Sequence, residues 1–241
     1  MTYTSWRGNV GVIKPTRSST SFQDLVGILP EGIGVIPIYL DLRYKSADEF
    51  KEAMPSYAAK VAELAEQAVD LIHPEGAPPF MIEGFKGEQR RIRGWERQYG
   101  IPIFTSGMCQ VAALKALGIK KFVGLSSLSG SLAKSFAQYF TDAGFKVLAM
   151  GNPEPDIDAG TLSAEQIYTM TKKAFLAQKG GPEAVYCLGS TWRVFDMIEA
   201  LEQDLGVPVL SPVAVRSWYI QRQLHVRQPL AGRGRLLAEM P

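Results

Sequence analysis

"ERQYGIPIFTSGMCQVAALKALG", residues 96–118, and "EQDLGVPVLSPVAVRSWYIQRQL", residues 202–224, share one layout. Each opens on an acidic residue, passes a glycine and an apolar–proline–apolar run, then small polar residues, and closes in a helical pattern. Gly100 and Gly206 mark corresponding places, 106 residues apart. Solenoid repeats have far shorter periods, so an echo this long predicts two similar α/β lobes rather than an array.

Short apolar runs alternate with longer amphipathic ones on either side of these segments. "NVGVIKP" and "GIGVIPIYL" read as strands, "SADEFKEAMPSYAAKVAELAEQAV" as helical, and "DLIHPEG" as a short strand. A basic helix over Gly87–Gln98, the strand "IPIFT", a helix through "MCQVAALKAL" and the strand "KKFVGLSS" follow. The second half continues with "SLAKSFAQYFTDAG", "KVLAM", "SAEQIYTMTKKAFLAQ", "AVYCLG" and a helix containing "VFDMIEALEQ". Such alternation predicts parallel sheets covered on both faces, and Gly118, Gly144 and Gly206 supply helix stops. The expected fold is α/β, with two pseudo-symmetric lobes, each a parallel sheet flanked by helices, and an active-site cleft between them. Residues 1–104 plus 214–241 are expected to form the first lobe and residues 105–213 the second.

Composition removes several function classes. A hydrophobic fraction of 46%, a charged fraction of 21% and a net charge of +2 describe an ordinary folded chain. They give no reason to expect a nucleic-acid or membrane partner. The most basic stretch, "FKGEQRRIRGWERQYG", interleaves Glu88 and Glu96 with its arginines and reads as the wet face of a helix. No long apolar core follows the first residues, and no apolar run reaches membrane-spanning length, so the expected location is cytoplasmic. Cys109 and Cys187 make no disulfide scaffold, and His73 and His225 have no close Cys/His spacing that would suggest a metal site. With no dinucleotide fingerprint or Walker loop, no cofactor is expected.

In open parallel sheets, ligands bind beyond the carboxyl ends of the strands, which directs attention to two turns, Gly76-Ala77-Pro78 and Cys187-Leu188-Gly189. If Cys187 stands where strand gives way to helix, unpaired N–H groups and the helix dipole favour its thiolate. Free cysteine is also commonly a small buried hydrophobe, and both readings stay open. N–H groups at Gly189 and Ser190 suit a carboxylate or a developing enolate oxygen. Ser126, Ser127, Ser129 and Ser131 around Gly130 suit an anion or form an ordinary N-cap. Near the first strand's end, Lys14, Pro15, Thr16 and Arg17 follow one another; Arg17 either forks onto a carboxylate or is solvated. Cys109 and His73 read as core residues, and "GNPEPDIDAG" as a polar connection without calcium-loop spacing.

Taken together, "VGVIKPT", "EGAPPF", "GIPIFTSGMCQVAALKALGIKKFVGLSS", "VYCLGSTWRVFDMIEALEQDLGVPVLSP" and "AGRGRLL" resemble the aspartate/glutamate racemase superfamily. The resemblance is closest to its arylmalonate decarboxylase and maleate cis-trans isomerase branch. It implies a cofactor-independent enzyme with a cleft between two lobes. Cys187 would match the second-lobe cysteine, and the first-lobe cysteine of the racemases and isomerases would fall at Gly76. One thiol fits the decarboxylase pattern: loss of CO₂ from a small (aryl)malonate-like acid, then proton delivery by Cys187 to an enediolate. Thr16, Gly76, Ala77, Ser126, Ser127, Leu188 and Gly189 are then the expected substrate-binding residues. A racemase or isomerase using Lys14 or a water as partner, and a small-carboxylate binding protein without catalysis, are the alternatives. Departures from the pattern are Ala77 and Pro78 in place of hydroxyl residues, Leu128 in place of a tyrosine, and the charge of Lys14. The expected partner is a small carboxylate, with homo-oligomerisation left open.

Overall fold

The computed structural model describes residues 5–16, 20–40, 42, 50, 52–154, 161–189 and 192–241. Apolar runs with β-branched residues become parallel strands. In the first half, β1 (Gly8–Lys14), β2 (Ile33–Tyr39) and β3 (Leu71–Pro74) form a sheet in the order β2-β1-β3, and Ile103 adds a parallel bridge to Ile72. Central β1 has Val10, Val12 and Ile13 fully buried, as expected of a strand covered on both faces. Around it lie α1 (Thr20–Ile28), α2 (Met54–Glu66), α3 (Ala77–Met81) and α4 (Phe85–Tyr99). Helix α2 buries Tyr57, Val61 and Leu64 at helical spacing. A Cβ on Gly11 would come within 2.7 Å of a Leu64 methyl, so glycine lets the helix close on the strand.

After α5 (Ser106–Ala116), the second half repeats the plan. Strands β4 (Lys121–Ser126), β5 (Lys146–Gly151), β6 (Val185–Leu188) and β7 (Val209–Leu210) form a parallel sheet in the order β5-β4-β6-β7. Its helices are α6 (Gly130–Asp142), α7 (Ala164–Leu176), α8 (Ile198–Leu205), α9 (Pro212–Gln223) and α10 (Arg235–Glu239). Phe140 of α6 meets Phe122 of β4 edge-on at 5.1 Å. Ser163 and Gln166 close a capping box at the start of α7. Among the described residues, no helix is long and apolar enough to cross a membrane.

The echo in sequence is an echo in hydrogen bonds. Gly100 and Gly206 end α4 and α8 in the left-handed region, at φ 68° and 70°. Their N–H groups donate to Glu96 O and Glu202 O at 2.8 and 2.9 Å. The side chains of those two glutamates accept the N–H groups of Ile103 and Val209 at 3.0 and 2.9 Å. Thr105 and Ser211 then accept the N–H groups of Met108 and Ala214 at the starts of α5 and α9. Acidic residue, glycine, proline and hydroxyl thus each hold a fixed place in one helix–strand–helix connection, written twice.

The chain divides into two compact units, Met1–Cys109 with Tyr219–Gln228, and Gln110–Trp218 with Pro229–Pro241. Residues 105–109 were expected in the second lobe and group with the first unit, while 214–218 and Pro229–Pro241 were expected in the first lobe and group with the second; in that last segment the Arg235 N–H donates to Glu202 at 2.8 Å, and a Cβ on Gly234 would come within 2.4 Å of Ile198. Three local expectations also change. "IPIFT" contributes a single bridge at Ile103, and "VFDMIEALEQ" opens as a 3₁₀ turn, Phe195–Met197, before α8. Glu88 is no wet-face residue: it is fully buried and accepts the Thr105 hydroxyl at 2.6 Å. Part of the stretch expected to be helical before α2, at 46–49 and 51, lies outside the described residues.

Candidate active site

In the first unit, a charged pair sits at the carboxyl ends of neighbouring strands. Lys14 closes β1 and is 2% exposed. Its Nζ lies 3.0 Å from Glu75 Oε2 and donates to Ser21 Oγ at 3.2 Å. Glu75 directly follows β3; its N–H donates to Ile13 O at 2.9 Å, and its carbonyl accepts the Tyr57 hydroxyl at 2.6 Å. Gly76 follows at φ 121°, in the range that favours glycine, and its N–H donates to Ser106 Oγ at 3.4 Å. Ala77 and Pro78 form the first turn of α3, where an N–H would have no intrahelical partner, so Pro78 sits without penalty. Thr16 is half-buried two residues past β1, and Arg17 lies outside the described residues.

In the second unit, Ser126 and Leu188 are register partners at the carboxyl ends of β4 and β6. Ser126 is buried, and its hydroxyl accepts the Leu128 N–H at 3.2 Å. Ser127 is exposed, Leu188 is buried, and Gly189 turns outward at φ 88°. Ser190 lies outside the described residues. Cys187 is inside β6, paired with Leu125, and has 0% exposure. The expected strand-to-helix corner is not at the thiol, because α8 starts only at Ile198. Burial dominates instead and pushes the Cys187 thiol well above its ordinary range. Of the two readings of this cysteine, easily ionised corner thiol or small buried hydrophobe, the surroundings are those of the second, and the thiol is held protonated.

The two sheets share one register. Ile72 and Val185 are equivalent: their N–H groups donate to Pro102 O and Pro208 O, each at 3.0 Å. Two steps further on, Pro74 corresponds to Cys187; Glu75 then corresponds to Leu188, and Gly76 to Gly189. On the neighbouring strands, Gly11 pairs with Ile72 and Val123 with Val185, so Lys14 is the counterpart of Ser126. The two turn positions thus both carry glycine, and Cys187 lies two residues upstream. Cys109 and His73 are core residues as expected: Cys109 Sγ–H donates to Ser106 O, and His73 stacks on Phe104 at 4.3 Å. Sequence reasoning missed Glu75 and Ser21 as partners of Lys14. Only the pairing of β1 with β3 brings Lys14 and Glu75 together, and no local motif announces it.

Several solved structures share this fold. The maleate isomerase Iso from Pseudomonas putida S16 aligns with a TM-score of 0.82 at 16% identity, over 97% of this chain and 99% of that one. Maleate cis-trans isomerase from Nocardia farcinica aligns at 0.84 and 19%, over 96% and 98%. Arylmalonate decarboxylase aligns at 0.78 and 18%, over 96% and 99%. No curated protein matches the chain. A family model described as arylmalonate decarboxylase matches residues 10–237. With nearly the whole chain inside that match, the protein belongs to the arylmalonate decarboxylase family.

Proposed function

We propose that the chain is a cofactor-independent enzyme that removes CO₂ from a small malonate-like carboxylic acid and protonates the resulting enediolate. Family membership across residues 10–237 carries this reading; the polar strand ends support it. Thr16, Gly76 and Ala77 in the first unit, and Ser126, Ser127, Leu188 and Gly189 in the second, are the groups proposed to hold carboxylate and enediolate oxygens. Cys187 is the proposed proton donor. Burial keeps its thiol protonated, the form a donor needs. At 0% exposure it reaches a substrate only when the end of β6 opens, so the assignment is directly testable. With phenylmalonate as probe, the wild type is expected to release CO₂. C187A is expected to lower kcat by about 100-fold or more while far-UV circular dichroism is unchanged. Undiminished turnover removes the thiol from the mechanism. Maleate turnover without CO₂ release would favour an isomerase instead.

A second reading, ligand binding without catalysis, draws on the glycines at both turn positions, which leave neither turn a reactive side chain. It predicts saturable binding of small dicarboxylates that C187A leaves untouched, with no CO₂ released. Maleate is held by the P. putida S16 isomerase in one of its solved forms, which makes it a natural second probe.

A further inference from the structure

We infer that Lys14 is the anion-binding residue of the first unit, taking one carboxylate oxygen of the ligand on its ammonium group. The inference rests on reading the ligand as a small carboxylate and holds whether or not the chain decarboxylates it.

Three observations meet at this residue. Lys14 ends a central strand at the carboxyl edge of its sheet, where open α/β sheets bind ligands. It is buried, and among the described residues its ammonium forms an ion pair with Glu75 Oε2 at 3.0 Å and donates to Ser21 Oγ at 3.2 Å. An ammonium has three N–H donors, more than these two partners among the described residues take up. The pair opens to solvent chiefly through Glu75, whose side chain is 15% exposed against 3% for Lys14.

The repeat supplies the third observation. In the second unit, the same register positions hold Ser126 and Leu188, without any charge. The architecture closes its strand ends perfectly well with an uncharged pair. A buried ion pair is a poor stabiliser, since desolvation cancels much of its Coulombic gain. Folding therefore does not account for the charge at Lys14, whereas an anionic ligand does. An ammonium N–H to a carboxylate is a charge-assisted bond, among the stronger contacts a small acid can make.

Isothermal titration with malonate, and with uncharged malonamide as control, tests the assignment in the full chain. The wild type is expected to bind malonate and not malonamide, with affinity falling as salt rises. K14M is expected to weaken malonate binding about 10- to 100-fold, and K14R to restore part of the loss. Because K14M strands Glu75 in a partly buried site, the double variant K14M/E75L is measured beside it; apolar replacement of both partners is often neutral for folding. Removing Glu75 takes away a charge that repels an anion, so loss of binding in the double variant belongs to Lys14. Wild-type affinity in a folded K14M or K14M/E75L overturns the inference, even when phenylmalonate is decarboxylated normally. Lys14-dependent malonate binding without CO₂ release upholds the inference and overturns the decarboxylase reading. A wild-type chain that binds no small dicarboxylate overturns both.

Discussion

A thiol inside a strand and a thiol at a helix start differ in chemistry although they are the same residue. Cys187 has backbone partners on β4 and no accessible surface, and burial raises its thiol as it would any acid in apolar surroundings. Iodoacetamide at pH 8 is therefore expected to label neither Cys187 nor Cys109 in the native chain, and both in urea, as read by mass spectrometry. Selective labelling of native Cys187 below neutral pH would instead show that the end of β6 opens and that the thiolate is stabilised there. The sequence motif made this residue conspicuous, but its register was not legible. A shift of two positions between motif and hydrogen-bonded strand leaves composition unchanged, and only the carbonyls of Pro102 and Pro208 reveal it. Lys14 posed the opposite problem. Its charge was plain, while its partner Glu75 became visible only through strand pairing.

At the scale of elements, the connection from helix to strand was the most legible feature, because each of its residues has one physical task. Glycine adopts the left-handed cap, proline offers a carbonyl but no N–H, and the hydroxyl residue caps the next helix. The glutamate's task was hidden, since a surface acid and a backbone acceptor look alike in sequence. Glu202 accepts the N–H groups of Val209 and Arg235 at 2.9 and 2.8 Å. Burial nevertheless outweighs those bonds and raises its carboxyl above the ordinary 4.5. The folded chain thus holds that proton more tightly than the unfolded chain. Its contribution to stability is fully present below about pH 4.5 and is lost as pH rises through the folded value. E202Q keeps an acceptor oxygen and removes the titration. Its unfolding free energy in urea is expected to fall less than that of the wild type between pH 4.5 and 7. Equal slopes would place the pH dependence elsewhere.

Considered as a whole molecule, neither unit is a contiguous piece of chain. Residues 219–228 return to the first unit and Pro229–Pro241 to the second. Leu237 is fully buried in that last segment, and L237A is expected to cost about 2–5 kcal/mol in urea denaturation. A loss below about 1 kcal/mol would mean that the segment adds little to the second unit. The two-lobed α/β plan was legible because its repeat is long and its glycines are fixed. The destination of the final segment was not, because a short amphipathic helix fits either neighbour equally well in sequence. This threading also sets an order of events during synthesis. When Cys109 leaves the ribosome, the first unit still lacks Tyr219–Gln228, including Leu224, which stands beside Gly8 at the start of β1. At 5–20 residues per second that strand end waits roughly 6 to 24 s for its cover. A nascent first sheet with an unfinished side is a natural client for a chaperone, and the protein completes both units almost together, once Tyr219–Pro241 has been made.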